Sequence, residues 1–347
     1  MTQPIDVFKL TRELIDVPSV TGGEFEIGNS LGELLSRLGY QVELQEVADD
    51  RANVIATTGA PARVVLSTHM DTVPPFIVSS EDEEFIYGRG ACDAKGLIAA
   101  QIAAAEKLRT EGVNEIGLLF TVDEEVTSAG AKVANAHPLA SPCQYLINGE
   151  PTDNRLAIGT KGSLQVTITT AGRAAHSAYP EQGDSAIEKL LDVLADIRRI
   201  DWPVDDVFGD TTCNIGVISG GTRANVIPDA AQTTLQIRLA TGGDAAKGLL
   251  EAAVAGRAAL DYKSTHDPVR LVALDGFEQT IVRFTTDIPY LTRWGKALLI
   301  GPGSILDAHT EHERVAKGEL LRAVEIYAEI ARRLLARDER VAEGTGL

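Results

Sequence analysis

Between about residue 52 and residue 160, short apolar runs alternate with helical patterns, and this alternation limits the possible folds of the 347-residue chain more than any other feature. The alanine-rich pattern of residues 95–110 predicts a helix of about four turns. The runs that are typical of buried strands are ANVIA, RVVLST, EIGLLFTV and QYLING. Strands and helices that alternate in this way form a mainly parallel sheet with helices on both faces, so we predict an α/β fold. Ligands of such sheets bind beyond the carboxyl ends of the strands.

The pattern changes near Gly159, where polar and apolar residues begin to alternate. SLQVTITTAG predicts a half-exposed antiparallel strand, and the elements after it follow the order β-α-β-β-α-β, with VRLVAL as the last strand. This order is that of a small ferredoxin-like α+β unit. KALLIGPGS and a long helix from residue 311 then return to the first pattern. We therefore predict one domain formed by residues 1–161 and 274–347 and an inserted domain formed by residues 162–273.

Charge and composition argue against several classes of function. A net charge of −18 supplies no basic face for nucleic acid. No apolar run approaches the length of a membrane span, and the N-terminal residues lack the pattern of a secretory signal. Cys92, Cys143 and Cys213 are scattered without a CxxC pair, which favours a reducing compartment. We expect a cytoplasmic protein that binds neither nucleic acid nor a membrane.

Potential metal ligands follow the strands of the first domain. Parallel strands place their carboxyl ends along one edge of a sheet, so groups that are distant in sequence can converge there. A further acidic group, Asp93, lies in the glycine-rich loop YGRGACDAKG, which leads into the predicted helix. The residues that follow strands are His69, Asp123, Glu124, Glu125, Glu150 and His309.

Two histidines and three carboxylates form the mixed nitrogen and oxygen set that two zinc ions about 3.5–4 Å apart require. In a strand, His69 and Asp71 project to the same face, so the aspartate can orient the imidazole. A carboxylate that binds no metal can carry a proton from water to a leaving amine. Each motif alone also has an ordinary explanation, such as a solvated acidic turn for DEE. Their combination at strand ends favours the metal site.

The complete set of motifs resembles a known family over nearly the whole chain. The segments are HMDTVP, YGRGACDAKG, TVDEE, NGEPT, GRAAHSAYPEQG, GGTRANVIPD and DAH. In order and style they resemble the di-zinc metallopeptidase and deacylase family of acetylornithine deacetylase, succinyl-diaminopimelate desuccinylase, aminoacylase and the glutamate carboxypeptidases. The resemblance implies a zinc-peptidase-like catalytic domain and an inserted ferredoxin-like lid domain.

The resemblance also implies a role for each matching position. One Zn²⁺ ion would be held by His69 and Glu150, and the other by Glu125 and His309, with Asp93 bridging the two. We expect two Zn²⁺ ions as cofactors, for which Co²⁺ can substitute. The remaining roles implied in the catalytic domain are a general base and acid at Glu124, a partner that orients His69 at Asp71, and a cis peptide bond at Asp93–Ala94.

Further matches lie in the lid and in the glycine turn GPGS. His176 resembles a histidine that stabilises the oxyanion, either within its own chain or across a homodimer formed through the lid domain. Asn225 and Arg238 resemble substrate-contacting positions, and Arg238 can pair with a substrate carboxylate. Gly301 and Gly303 resemble a turn that lines the substrate pocket with backbone amides.

These matches predict a zinc-dependent hydrolase that cleaves the amide bond of N-acyl amino acids, of the acetylornithine or succinyl-diaminopimelate type. A metallo-carboxypeptidase or dipeptidase is the nearest alternative. Residues 272–295 are compact, which resembles the lysine-pathway hydrolases that act on a carrier-protein amide. Glu311 and His312 stand where relatives often have Pro or Asn, so the acyl pocket can differ. A catalytically silent metal-binding protein is the alternative from another class, and the presence of Glu124 argues against it.

Overall fold

The computed structural model describes residues 4–48 and 50–344 of the chain. These residues divide into two compact units. The first unit contains the described residues up to 158 together with residues 271–280 and 286–344, and the second contains residues 159–270 and 281–285. The chain therefore enters the second unit at Gly159 and returns to the first unit for most of the residues after 270.

The structure assigns seven α-helices and twenty strands within the described residues. The helices are α1 (Val7–Ile15), α2 (Phe25–Arg37), α3 (Lys95–Thr110), α4 (Ala129–Ala134), α5 (Ala186–Ile197), α6 (Gly243–Val254) and α7 (Lys317–Gly344). The strands are β1 (Gln41–Ala48), β2 (Arg51–Thr57), β3 (Val64–His69), β4 (Ser80–Glu81), β5 (Phe85–Tyr87), β6 (Ile116–Thr121), β7 (Tyr145–Asn148), β8 (Leu156–Thr160), β9 (Gly162–Ala171), β10 (Ala175–His176), β11 (Val204–Asp205), β12 (Gly209–Asp210), β13 (Thr212–Gly220), β14 (Val226–Ile227), β15 (Ala230–Leu239), β16 (Ala259–His266), β17 (Val269–Arg270), β18 (Gln279–Val282), β19 (Lys296–Leu299) and β20 (Arg314–Ala316). No helix in this described part of the chain combines the length and the apolar character that crossing a membrane requires.

The main sheet of the first unit has the strand order β1-β2-β6-β3-β7-β19-β8. Strands β6, β3, β7 and β19 form a parallel core, which confirms the predicted mainly parallel sheet. The strands outside this core run antiparallel to their neighbours. For β1 and β2 the reason is the connection, because a tight hairpin can join only antiparallel strands.

Helices cover both faces of this sheet, as predicted. Along β3, Val64 and Leu66 belong to the larger core cluster and Val65 belongs to the smaller one, as expected for side chains that alternate between faces. Helices α1, α2, α3 and α7 contribute to the larger cluster, and α4 with Trp294 contributes to the smaller one. Most residues of the alanine-rich α3 are buried, and it packs on β3, α1 and α7. Small side chains allow this close approach on several sides.

The second unit contains the antiparallel sheet β13-β15-β9-β16. Alternate residues of β9 and β15 are buried, including Leu164, Val166, Leu235 and Ile237, and they pack with apolar residues of α5 and α6. The strand order is that of a ferredoxin-like unit in which the first and third strands lie at the centre.

Two sequence-based element predictions are wrong. The last strand of this sheet is β16, whereas VRLVAL contributes only β17, which pairs with β8. The physical reason is that Leu260 and Tyr262 of β16 pack against the second core, while Leu274 of VRLVAL is buried in the core of the first unit. The terminal helix begins at Lys317 rather than at residue 311, because residues 314–316 form β20 and pair with β5.

Candidate metal centre

The parallel core brings several acidic and histidine side chains to one edge of the sheet. His69 is the last residue of β3, Glu125 lies shortly beyond β6, and Glu150 lies shortly beyond β7. Because β3 lies between β6 and β7, these three segments leave the sheet side by side. Asp93 and His309 reach the same place from loops. The Asp93–Ala94 peptide bond is cis, as the family resemblance implies.

Asp93 lies between two histidines and presents a different oxygen to each. The Nε2 atom of His69 lies 2.9 Å from Asp93 Oδ1, and the Nε2 atom of His309 lies 3.3 Å from Asp93 Oδ2. His309 Nε2 is also 2.9 Å from Glu125 Oε1. A carboxylate with this placement can bridge two cations. His69 is buried, whereas 48% of the His309 side chain is exposed, so the cluster is open on the side of His309.

The residues fit a divalent metal centre in three respects. Donor atoms of His69, Asp93 and Glu125 lie within 4.8 Å of one another. Glu150 is buried, and its Oε1 atom has no hydrogen-bond partner within the described part of the chain. A buried, unpaired carboxylate oxygen is costly unless a cation satisfies it. Imidazole and carboxylate groups are also the ligand types that zinc accepts.

The pKa shifts of the cluster reflect its concentrated negative charge. Hydrogen bonds to Asp93 and Glu125 raise the pKa of His309 to about 10. Although burial lowers it, hydrogen bonds to Asp71 and Asp93 raise the pKa of His69 well above its ordinary value. Both histidines thus compensate nearby carboxylates. Divalent cations can supply the same compensation and leave the imidazole nitrogens free to coordinate.

Glu124 lies beside this cluster and has a raised pKa. Burial is the first cause, and the charge of Glu150 adds to it. The pKa of Glu150 is raised for the same reasons, by burial and by carboxylates that include Asp93. A carboxyl group whose pKa has moved towards neutrality can both accept and donate a proton.

Asp71 is completely buried and contacts both His69 and the loop after β6. The Nδ1 atom of His69 lies 3.0 Å from the backbone oxygen of Asp71 and 3.5 Å from its Oδ1 atom. The two carboxylate oxygens accept hydrogen bonds from the backbone N–H groups of Glu124 and Glu125. Burial works against ionisation, but hydrogen bonds from His69 and Thr21 hold the pKa of Asp71 below its ordinary value.

The turn that carries Glu124 and Glu125 is strained and is fixed from the other side by Asp123. This residue has a left-handed backbone conformation, with φ +68°. Its N–H donates to Glu24 Oε1 at 3.2 Å, and its carboxylate accepts hydrogen bonds from Arg51 and Thr127. Strain of this kind persists only where surrounding contacts enforce it. Asp123 therefore shapes the turn. Its side chain contacts Arg51 and Thr127, which are not candidate metal ligands.

Asp287 is a buried carboxylate near the centre that sequence reasoning missed. It accepts a hydrogen bond from Thr121 Oγ1 at 2.7 Å, and Ser128 also donates to it. Burial raises its pKa to about 6. In the sequence, Asp287 is an acidic residue before the Ile288–Pro289 turn. Acidic residues are common at such positions, so this one does not indicate a functional site. Glu313, also missed, is buried against the loop that carries Asp93.

Three of the remaining predicted residues, His176, Asn225 and Arg238, belong to the second unit. His176 is exposed on β10, which pairs with β14, and Ser177 N–H donates to the carbonyl of Asn225 at 3.0 Å. Arg238 is half-buried on β15, and burial lowers its pKa.

The glycine turn that contains Gly301 and Gly303 is in the first unit. The N–H of Gly301 donates to Thr152 Oγ1, and the N–H of Gly303 donates to Glu319 Oε2. Gly303 has φ +84°, a conformation that favours glycine. Both amides are therefore engaged within the chain.

Comparisons with known proteins show the family and the fold of the chain. A family model described as peptidase family M20/M25/M40 matches residues 65–333. A probable carboxypeptidase of Aspergillus clavatus is 36% identical over 366 residues, which cover 94% of this chain and 88% of that protein. A tripeptidase from Staphylococcus aureus has the same fold, with a TM-score of 0.79 at 21% identity over 96% of this chain and 100% of the other. A Bacillus subtilis protein described as a dinuclear metal binding peptidase superimposes with a TM-score of 0.68 at 15% identity over 95% of this chain and 98% of the other.

Proposed function

We propose a function from the premise that the chain belongs to peptidase family M20/M25/M40 and is therefore a metal-dependent hydrolase of amide bonds. In this proposal, the enzyme releases a free amino acid from the carboxyl end of its substrate. The favoured reaction is that of a metallo-carboxypeptidase on short peptides, because a relative with 36% identity is described as a probable carboxypeptidase. Deacylation of N-acyl amino acids, as expected from the sequence, is the second candidate. It breaks the same bond to the nitrogen of an amino acid, and NGEPT, with Glu rather than Asp at residue 150, resembles the deacylase branch of the family.

The observation that carries the proposal is the position of Asp93 between His69 and His309. Two divalent ions bound there, which we infer to be Zn²⁺ with Co²⁺ as a substitute, would supply Lewis acidity that polarises an amide carbonyl and acidifies water. The residues that we assign as ligands are His69, Asp93, Glu125, Glu150 and His309.

Glu124 is the proton carrier in this proposal. Its raised pKa favours acceptance of a proton from the attacking water and its transfer to the nitrogen of the leaving amino acid. Asp71 holds the backbone of Glu124 and orients the ring of His69. The proton carrier and a metal-binding imidazole are thereby positioned by a single buried residue, which uses its carboxylate for the first and its backbone oxygen for the second.

Substrate recognition is assigned to the second unit. Arg238 is half-buried and its pKa is lowered by burial, so pairing with a substrate carboxylate would recover the solvation that its guanidinium has lost. We assign Asn225 to substrate contact and His176 to stabilisation of the oxyanion, as the family resemblance implies. A requirement for a free carboxylate would be common to peptides and N-acyl amino acids.

The second unit also offers a surface for a homodimer. Strand β13 lies at the edge of its sheet, and its Val217 and Ile218 side chains are 58% and 54% exposed. An open edge with apolar side chains readily pairs with another strand. We therefore propose that two copies associate through β13, in a cytoplasmic enzyme.

A substrate panel tests the proposed function. Purified protein, supplied with Zn²⁺ or Co²⁺, is assayed on free di- and tripeptides, on the same peptides with an amidated carboxyl end, and on N-acetyl and N-succinyl amino acids. We expect release of the carboxyl-terminal amino acid from free peptides and little hydrolysis of amidated ones. Preference for the acylated amino acids would establish the deacylase instead. Release of the amino-terminal residue from amidated peptides would contradict both candidates.

A further inference from the structure

Glu313 occupies an unusual position next to the loop that carries Asp93. Its side chain is fully buried. One carboxylate oxygen, Oε1, accepts hydrogen bonds from the backbone N–H groups of Gly90 at 2.9 Å, Cys92 at 3.2 Å and Asp93 at 3.2 Å. The other oxygen, Oε2, lies 2.5 Å from Nη1 of Arg89, whose side chain is also buried. The carboxylate is thus fully engaged by a single loop.

The loop is shaped to hold this anion. Gly90 has φ +90°, and a Cβ atom at this residue would lie 2.9 Å from the Lys95 side chain. The left-handed conformation turns neighbouring N–H groups towards one point, which is the arrangement of a backbone anion nest. Arg89 neutralises the charge that is buried there.

Glu313 also belongs to the segment that supplies His309. The pairing of β20 with β5 aligns this segment with the start of the loop, and the N–H of Gly88 donates to the backbone oxygen of Glu313 at 3.0 Å. Side-chain and backbone contacts of Glu313 therefore fasten the His309 segment to the Asp93 loop. In the sequence, Asp93 and Glu313 are 220 residues apart.

We propose that Glu313 is a positioning residue that sets the place of the Asp93 carboxylate relative to His309 and thereby controls the affinity for the second of two metal ions. This inference rests on the metal centre of the proposed function. It concerns the ion position formed by Asp93, Glu125 and His309.

The other ion position, which would be formed with His69 and Glu150, is held by a different part of the structure. His69 ends β3, and Glu150 follows β7, which is the parallel neighbour of β3. Their placement is therefore fixed by the sheet. His309, by contrast, lies in a loop with φ +63° and depends on contacts of its own segment. Loss of the Glu313 contacts should consequently weaken one ion position much more than the other.

Glu313→Gln tests the inference with little change in volume. The amide group has one acceptor, so its NH₂ must face either the three N–H donors or Arg89. Metal-free protein is titrated with Co²⁺, by calorimetry and by visible absorption of the bound ion. We expect the first ion to bind within about 3-fold of the wild-type affinity and the second to bind about 10–100-fold more weakly, as for other residues that orient metal ligands.

A matched control is Glu111→Gln, which removes an exposed carboxylate that pairs with Arg332. Both ions should bind to this variant as they bind to the wild type. Thermal denaturation verifies that each variant is folded. A folded Glu313→Gln protein that binds both ions normally, or that weakens both equally, would overturn the inference.

Arg89→Lys provides a second variant if Glu313→Gln does not fold. It keeps a cation near Oε2 but removes the guanidinium, whose Nε also donates to the carbonyl of Pro75. We expect selective weakening of the second ion by at least about 3-fold. Unchanged binding, or equal weakening of both ions, would again contradict the role of Glu313. Failure of the wild-type protein to bind two ions would instead contradict the proposed function, so the two failures are distinguishable.

Discussion

Asp71 accepts a hydrogen bond from the backbone N–H of Glu124, at 3.1 Å on Oδ1. Its other oxygen accepts the N–H of Glu125 at the same distance. The carboxylate that lies against His69 therefore also fixes the turn on which the proposed proton carrier and a proposed ligand are placed. A change at Asp71 should disturb both functions together.

Asp71→Asn tests this coupling. Asparagine has only one carboxamide oxygen, so its NH₂ group must face an N–H donor of Glu124 or Glu125. We expect kcat and metal affinity each to fall by about 10–100-fold. Thr21→Val is the matched control, because it removes one hydrogen bond to Asp71 Oδ2 and leaves both oxygens in place. Steady-state kinetics and metal titration measure the effects, and an Asn variant with normal values of both would contradict the coupling.

Glu124→Gln should abolish proton transfer while it preserves the shape of the side chain. We expect kcat to fall by about 10²–10⁴-fold, the range typical of general acid–base catalysis. Metal content, measured by elemental analysis after dialysis, should remain at the wild-type value. If this variant instead loses metal, then the assigned roles of Glu124 and Glu125 are exchanged.

His176→Ala should lower kcat far more than it raises KM, because a donor to the oxyanion acts mainly in the transition state. Mixing His176→Ala with inactive Glu124→Gln tests whether the histidine crosses a dimer. With subunit exchange and a crossing histidine, one hybrid site is complete and activity returns. A mixture that exchanges subunits and stays inactive would place His176 in its own chain's site, and a normal kcat would reject its catalytic role.

Arg238→Met should weaken binding of substrates that carry a free carboxylate. Hydrogen bonds to charged groups contribute about 1.5–3 kcal/mol, which corresponds to a roughly 10- to 150-fold rise in KM. We expect little change in kcat at saturation. The control is Arg257→Gln, which removes a partly exposed cation paired with Asp196 on the same unit. Equal KM values for Arg238→Met and the wild type would reject this carboxylate site.

Asp287→Asn should stabilise the metal-free protein near neutral pH. Burial raises the pKa of Asp287 to about 6 from an ordinary value of 3.8, so the folded state holds its proton more tightly than the unfolded state does. The ionised carboxylate therefore destabilises the fold increasingly between pH about 4 and about 6, and by a constant amount above that range.

At pH 7, Asp287→Asn should raise the free energy of unfolding by about 1–3 kcal/mol, and this increase should vanish below about pH 4. Thermal denaturation of chelator-treated protein across this pH range measures it. A difference in melting temperature that does not depend on pH would show that the effect is not electrostatic.

The edge of the sheet at which the candidate site lies was predictable because parallel strands have a fixed direction. His69, Glu125 and Glu150 follow three adjacent strands, so their convergence needs no knowledge of the loops. Their roles as metal ligands remain predictions. Helix α3 also follows from sequence, since its alanine-rich pattern is continuous from Lys95 to Thr110.

Contacts that depend on loop conformation were not predictable. Glu313 lies in a stretch that resembles the start of a helix, and the N–H groups that it binds lie in a loop far away in sequence. Asp287 depends on a hydroxyl of Thr121, which no periodic pattern connects to it. The apolar run VRLVAL suggested a strand of the second unit because local pattern does not reveal which of two cores a buried segment joins.

The pairing of β7 with β19 has a consequence for the order in which the molecule assembles. Tyr145 lies opposite Lys296, so the main segment of the second unit interrupts this parallel contact. Closing so long a loop is entropically unfavourable and slow. The pairing of Gly159 with Arg270 brings the ends of that segment side by side. Once the second unit has formed, the effective length of the connection between β7 and β19 is therefore shorter. We therefore expect the insert to fold first and β19 to join afterwards. A chain emerging from the ribosome would then gain its hydrolytic centre only in the last step of folding, when the segment with His309 arrives.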